Sequence, residues 1–176
     1  VILNFDFYGT ASQADDYFTN RLHSESWFAA SVLNRTKALI GATRIIDTLN
    51  YKGKKSTVYT VCLAAETSGI DATDQEIRDA EAAQYNEFPR GADTEAPDAI
   101  VLSNYEIAFS LLDGKDPEME LEALGISSQG LESVRTTYAR SQVPIEHIIN
   151  GVPNMYAWRM LRPFLRDDRA LAMIRV

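Results

Sequence analysis

Residues 98 to 114, DAIVLSNYEIAFSLLDG, carry apolar side chains around most of a helical circumference. Ile100, Ile107 and Leu111 make one stripe, Val101, Tyr105, Ala108 and Leu112 a second, and Leu102 with Phe109 a third. A helix with no wide polar face has to lie inside a fold, wrapped by elements that each need only one apolar stripe. Pro97 stands at its start, where a missing N–H costs nothing, and Asp113-Gly114 stops it. The pattern predicts a mainly α protein organised around this segment.

The chain has 176 residues, enough for one domain with a real core, and 45% hydrophobic residues is normal for a folded protein. The opening VILNFDFYG reads as a short extended arm ended by Gly9. Thr10 and Gln13 have capping-box spacing and predict a helix over about Ala11 to Arg21 with Ala14, Tyr17, Phe18 and Leu22 on its apolar side. A short turn from Ser26 to Ala30 is expected to bury Trp27 and Phe28. In SVLNRTKALIGATRIIDTLNYKG, Leu39, Ala42, Ile46 and Leu49 share one face and Lys37, Arg44 and Thr48 another, the signature of an amphipathic helix. YTVCLA, residues 59 to 64, fits a short buried strand or a helix equally well.

TDQE at 73 to 76 is a second capping box and opens an acidic, alanine-rich helix to about Tyr85. PRGADTEAP is a loop, and Asp116-Pro117 predicts a short helix over EMELEAL. Between Gly130 and Arg140 the period changes to two, with Val134, Thr136 and Tyr138 alternating against Arg135, Thr137 and Ala139, which predicts one strand. Its pairing partner is open among the N-terminal arm, a segment near residue 60 and the same strand of another copy. SQVPIEHIINGVP then reads as a loop. The fold class expected is a helical bundle with a short strand or small β element, divided into a body over residues 1–150 and a C-terminal docking segment over residues 151–176.

The formal charge is −8, from 17 basic and 25 acidic side chains, a poor balance for general phosphate binding. The charge is unevenly placed. Residues 1 to 134 hold 10 basic and 22 acidic groups, while residues 135 to 176 hold 7 basic and 3 acidic. Surfaces of opposite sign on one small protein suit head-to-side packing of copies or docking on a charged partner. Cys62 is the only cysteine, so no internal disulfide forms. No run of 18 apolar residues and no signal-peptide pattern is present, and the chain is expected to stay in the cytoplasm where it is made, away from membranes. His23, His147 and Cys62 make no metal-ligand spacing, and neither a G-x-S-x-G nor a phosphate-cradling glycine loop occurs. We expect no enzymatic activity and no cofactor.

Two segments carry charge that a binding surface would use. KGKK, with Lys52, Lys54 and Lys55 beside Tyr51 and Tyr59, is a solvated loop or a possible DNA-facing or subunit contact. GVPNMYAWRMLRPFLRDD, residues 151 to 168, places Met155, Trp158, Leu161 and Leu165 on one stripe and Tyr156, Met160 and Phe164 opposite, flanked by Arg159, Arg162 and Arg166. Two apolar stripes describe an element gripped from both sides, with the arginine and aromatic mixture of interface anchors. The alternative is a closing helix buried in its own core. Pro163 predicts a kink or break between Arg159 and Pro163.

The order of YGTASQADDYFTNRL, KALIGATRIIDTLNYKGKK, FPRG, PDAIVLSNYEIAFSLLDGKDPEMEL, GISSQGLESVRTTYAR and MLRPFL resembles the tailed-bacteriophage head-to-tail adaptor (connector) proteins, a family also labelled DnaT-like single-stranded-DNA-binding proteins. The acidic helix before FPRG departs from the pattern, where many relatives carry a shorter loop. The resemblance implies a structural protein of the virion neck, made in the host cytoplasm and assembled as a homo-oligomeric ring, commonly of twelve copies. Such a ring joins the portal protein to the next neck, nozzle or tail component and continues the channel close to the packaged double-stranded DNA. It also implies that residues 155 to 166 dock on the portal. The rival reading is a single-stranded-DNA-binding module.

Overall fold

The computed structural model describes residues 6–116, 119, 128–131, 134–137 and 146–166. The fold is mainly helical. In chain order the elements are α1 (Ala11–Thr19), α2 (Glu25–Ala29), α3 (Val32–Asp47), α4 (Ser56–Thr67), α5 (Asp74–Ala83), α6 (Asp98–Leu112), β1 (Ser128–Leu131), β2 (Val134–Thr137), α7 (Glu146–Ile149) and α8 (Met155–Leu161), followed by a 3-10 turn, Arg162–Phe164. The expected short helix over EMELEAL lies outside the described residues apart from Met119, as do the first five residues of the N-terminal arm.

Helix α6 is the centre that its sequence demands. It packs chiefly against α3 and α8, with α2 at one end. Ile100, Ile107 and Ala108 are fully buried, and Tyr105 is nearly so. Facing it, α3 contributes the predicted stripe of Leu39, Ala42 and Ile46, while Lys37, Arg44 and Thr48 stay exposed. Gly9 sits where the arm crosses α6: its φ is +79°, and a Cβ there would stand 2.1 Å from Tyr105 Oη. Only glycine fits that close approach.

Thr73 and Glu76 form both halves of a capping box at α5. At α1, Thr10 accepts from the Gln13 N–H at 3.2 Å, but the Gln13 side chain meets the Thr10 hydroxyl, and the Thr10 N–H donates to Tyr105 Oη instead. Leu22 is 83% exposed, because α1 ends at Thr19 and the chain turns away through His23 at φ 57° before the predicted stripe is completed. Trp27 is buried, stacked on Phe18 at 4.5 Å and donating to Asp15 Oδ1 at 2.8 Å, whereas Phe28 is half exposed. A five-residue helix presents one face to the core, and Trp27 takes it. YTVCLA resolves as part of α4.

The single strand expected over 130–140 is instead two short antiparallel strands, with Leu131 opposite Val134 and Ser128 opposite Thr137. The partner seen within the chain, β1, is not among the three named from the sequence. Pairing with the adjacent segment satisfies backbone groups at the smallest loop-closure cost. Residues 138–140 lie outside the described residues. Within the segment read as a loop, Glu146–Ile149 forms one helical turn.

Candidate functional site

The C-terminal segment is positioned by Asn154. Its side-chain oxygen caps α8, accepting from the N–H groups of Tyr156 at 2.8 Å and Ala157 at 3.3 Å. Its amide nitrogen donates to Glu106 Oε2 and to Ser110 Oγ, both at 3.1 Å, which fixes the start of α8 to the middle of α6. Glu106 is 1% exposed. Arg21 binds its carboxylate through two nitrogens, at 2.8 and 3.0 Å, and Tyr17 Oη donates to it at 2.6 Å. The Arg21 guanidinium also lies 4.4 Å from the centre of the Phe109 ring. Both oxygens of this buried carboxylate are therefore held by donors.

Helix α8 then turns inward the stripe that the sequence offered to a partner. Trp158 is 5% exposed and Leu161 is fully buried, both in the same core as Ile107 and Leu39. Met155, Phe164 and Leu165 pack partly buried against that core, and Met160 is half-buried. Phe164 meets Phe88 edge-on at 5.8 Å. Only Tyr156, Arg159, Arg162 and Arg166 of the ten candidate docking residues are exposed. The closing-helix alternative describes this packing, with Val152, Ala157, Trp158 and Leu161 in the core of the body. The physical reason is that α6, apolar all round, needs a cover on the side that α3 leaves open. The break at Pro163 is present as the passage from α8 into the 3-10 turn.

KGKK does not stand alone. Tyr51 bridges Leu165, the Lys52 N–H donates to Phe164 O at 2.9 Å, and the Arg166 N–H donates to Asn50 O at 3.0 Å. From the other side Arg90 Nε donates to Lys52 O at 2.9 Å, its Nη2 donates to Gly53 O at 2.6 Å, and the Gly91 N–H donates to Lys54 O at 2.9 Å. Three remote segments, KGKK, FPRG and RPFLR, are thus laced into one corner. Its three lysines differ. Lys52 Nζ reaches Pro163 O at 3.2 Å, and Lys54 lies outward with Nζ 3.1 Å from Cys62 Sγ. Lys55 is turned inward, donating to Gln84 O at 3.0 Å and Tyr85 O at 3.3 Å, with Glu87 at 3.4 Å. Lys55 is a structural tie, while Lys52, Lys54, Arg162 and Arg166 hold the exposed charge. A cleft of about 440 Å³ opens here, with Lys54, Lys55, Arg90 and Arg166 against Glu81 and Glu87.

Under the corner, Tyr8 Oη donates to Asp47 Oδ1 and accepts from the Phe88 N–H at 3.1 Å, while the Glu87 N–H donates to the same Asp47 oxygen at 3.2 Å. Burial, then the Asp47 charge, pushes the Tyr8 phenol far above its ordinary range, and the same two causes in the same order raise Tyr51. Burial also raises the Asp47 carboxyl, partly offset by the hydrogen bond from Tyr8. This network holds FPRG against α3. No sequence pattern announced it, because its members are 39 to 80 residues apart.

Among the described residues, no three His, Cys, Asp or Glu side chains gather in a metal-holding arrangement, and no helix is long and apolar enough to cross a membrane. Comparison with family models, with curated proteins and with solved structures returned no match.

Proposed function

We propose that this chain is a non-enzymatic structural adaptor of a tailed-bacteriophage neck, one subunit of a ring that joins the portal to the next neck or tail component. The observation that carries the reading is the meeting of KGKK, FPRG and RPFLR at one corner, fixed by main-chain hydrogen bonds and by the Arg90 side chain. These are segments on which the resemblance rests, and they lie far apart in the chain. A shared surface built from them supports a common binding role, because a merely solvated loop needs no such lacing. The docking face in this reading is the exposed side of α8, Tyr156, Arg159 and Arg162, with Arg166 beyond it. Tyrosine flanked by arginines supplies apolar area and forked donors for acidic groups of the portal.

The single-stranded-DNA reading needs exposed rings on which bases stack beside the cations. Tyr51, next to KGKK, is 2% exposed and closed against Phe88, which leaves Tyr59, 37% exposed, as the one ring that this cluster offers to a base. The two readings separate in one experiment. Purified chain is mixed with portal-bearing heads that lack a neck and pelleted, and in parallel is titrated with fluorescent oligothymidine at several salt concentrations. The adaptor reading predicts co-pelleting and no micromolar oligonucleotide binding. Salt-dependent oligonucleotide binding without co-pelleting would replace it with the DNA-binding reading.

A further inference from the structure

Among the described residues, the α4–α5 hairpin presents an apolar surface that no other element covers. Ser56–Thr67 is apolar in composition, with Val58, Tyr59, Val61, Cys62, Leu63, Ala64 and Ala65, yet Val58 is its only buried residue. Its principal neighbour is α5, tied to it where Thr57 Oγ1 donates to Ala80 O at 2.7 Å. Tyr59 and Leu63, one helical turn apart, are 37% and 48% exposed, and Ile70 just beyond the helix is 65% exposed. A helix this apolar normally finds a cover. Alongside it α5 exposes Asp74, Glu76, Asp79 and Glu81, with Arg78 its one cation.

A surface of complementary character exists on the same chain. An open groove of about 810 Å³ runs between α3 and the end of α6. Ile45, Leu111 and Met119 give it apolar walls, and its charged residues are Arg44 and Lys115 against Asp116. Gly41 lies on its floor, where a Cβ would stand in ordinary contact with Leu111 at 3.4 Å. Lys37 and Leu33, exposed on the same face of α3 as Arg44, extend the cationic and apolar character toward the helix start. One surface is apolar with an acidic border and the other is apolar with a basic border.

We propose that the α4–α5 hairpin of one copy docks in the α3–α6 groove of a second copy of this chain. The occupant is a copy because both complementary surfaces belong to one sequence, and the contact is head-to-tail because they are different surfaces. It leaves α8 clear for a different partner. The inference rests on the reading of the chain as a ring-forming subunit and names the contact that repeats around the ring.

The test uses two charge reversals in the whole chain, Arg44→Glu in the groove and Asp79→Lys on the hairpin. Both side chains are exposed, so each variant should melt within a degree or two of wild type, which establishes that it folds. Self-association is followed by sedimentation velocity from micromolar to millimolar protein. Wild type should associate, each variant alone should need about tenfold more protein to do so, and an equal mixture should regain wild-type association. In the mixture one junction is native and the other is a reversed but matched pair. Wild type that stays monomeric at millimolar concentration, variants that associate like wild type, or a mixture that fails to regain association would each overturn the interface. Co-pelleting of wild type with portal-bearing heads is scored separately: if it persists while the interface fails, the adaptor reading stands and the ring contact lies elsewhere.

Discussion

Glu106 is the side chain on which the packing of three helices converges. It lies at 1% exposure in the middle of α6, and its partners Arg21, Tyr17 and Asn154 come from 85, 89 and 48 residues away. In the sequence it reads as a polar gap in an apolar helix, because periodicity carries no information about which distant donors will meet a carboxylate. Glu106→Gln preserves the size and removes the charge, leaving the Arg21 guanidinium against a neutral oxygen. We expect a loss of about 2–3 kcal/mol in urea unfolding, and an unchanged midpoint would show that the charge is dispensable. The buried phenols make a pH prediction. Tyr8 and Tyr51 have folded-state pKa values raised by burial, so the folded protein holds protons that the unfolded chain releases above the ordinary phenol value of 10.0. Their contribution is fully present below pH 10 and is lost as pH rises beyond it, at up to about 1.4 kcal/mol per pH unit for each ring. The phenolate absorbance of these two rings should therefore appear together with unfolding. Smooth titration of all eight tyrosines before any loss of helix would contradict this.

Helix α8 shows what a helical pattern can and cannot specify. The Trp158 stripe, the arginine flanks and the break at Pro163 were legible and are present, whereas the second stripe is divided, Tyr156 outward and Phe164 against the core beyond the end of the helix. Which body grips the Trp158 stripe was not legible, because an apolar face looks alike whether its cover is a partner or the protein's own α6. The structure places Trp158 and Leu161 in the core. Trp158→Ala should accordingly cost about 3–5 kcal/mol, a melting temperature lowered by roughly 10 °C, while Arg162→Glu should leave melting unchanged within about 0.5 kcal/mol. A Trp158→Ala variant that melts like wild type would return that side chain to the surface. Helix α4 was left open by its sequence, since an apolar run fits a short buried strand and a helix alike, and the fold makes it a helix with one buried residue out of twelve.

At the scale of the molecule, the central position of α6 and the mainly helical class followed from one segment that could not face water. The assembly of the corner did not, since KGKK, FPRG and RPFLR meet through backbone bonds that no local signal encodes. The unequal charge along the chain becomes spatial: acids exposed on α5, cations on the exposed side of α8 and at the corner. A ring subunit needs separate faces for its neighbours and for the bodies above and below, and a rigid core that keeps them in register. The most direct measurement is a single-particle reconstruction of portal-bearing heads to which the purified chain has been added. The account predicts an ordered ring of this chain on the portal vertex, contacting the portal through Tyr156, Arg159 and Arg162 while Trp158 stays packed on α6. A vertex with no ordered copies of the chain, or one in which Trp158 has left its core to insert into the portal, would contradict it.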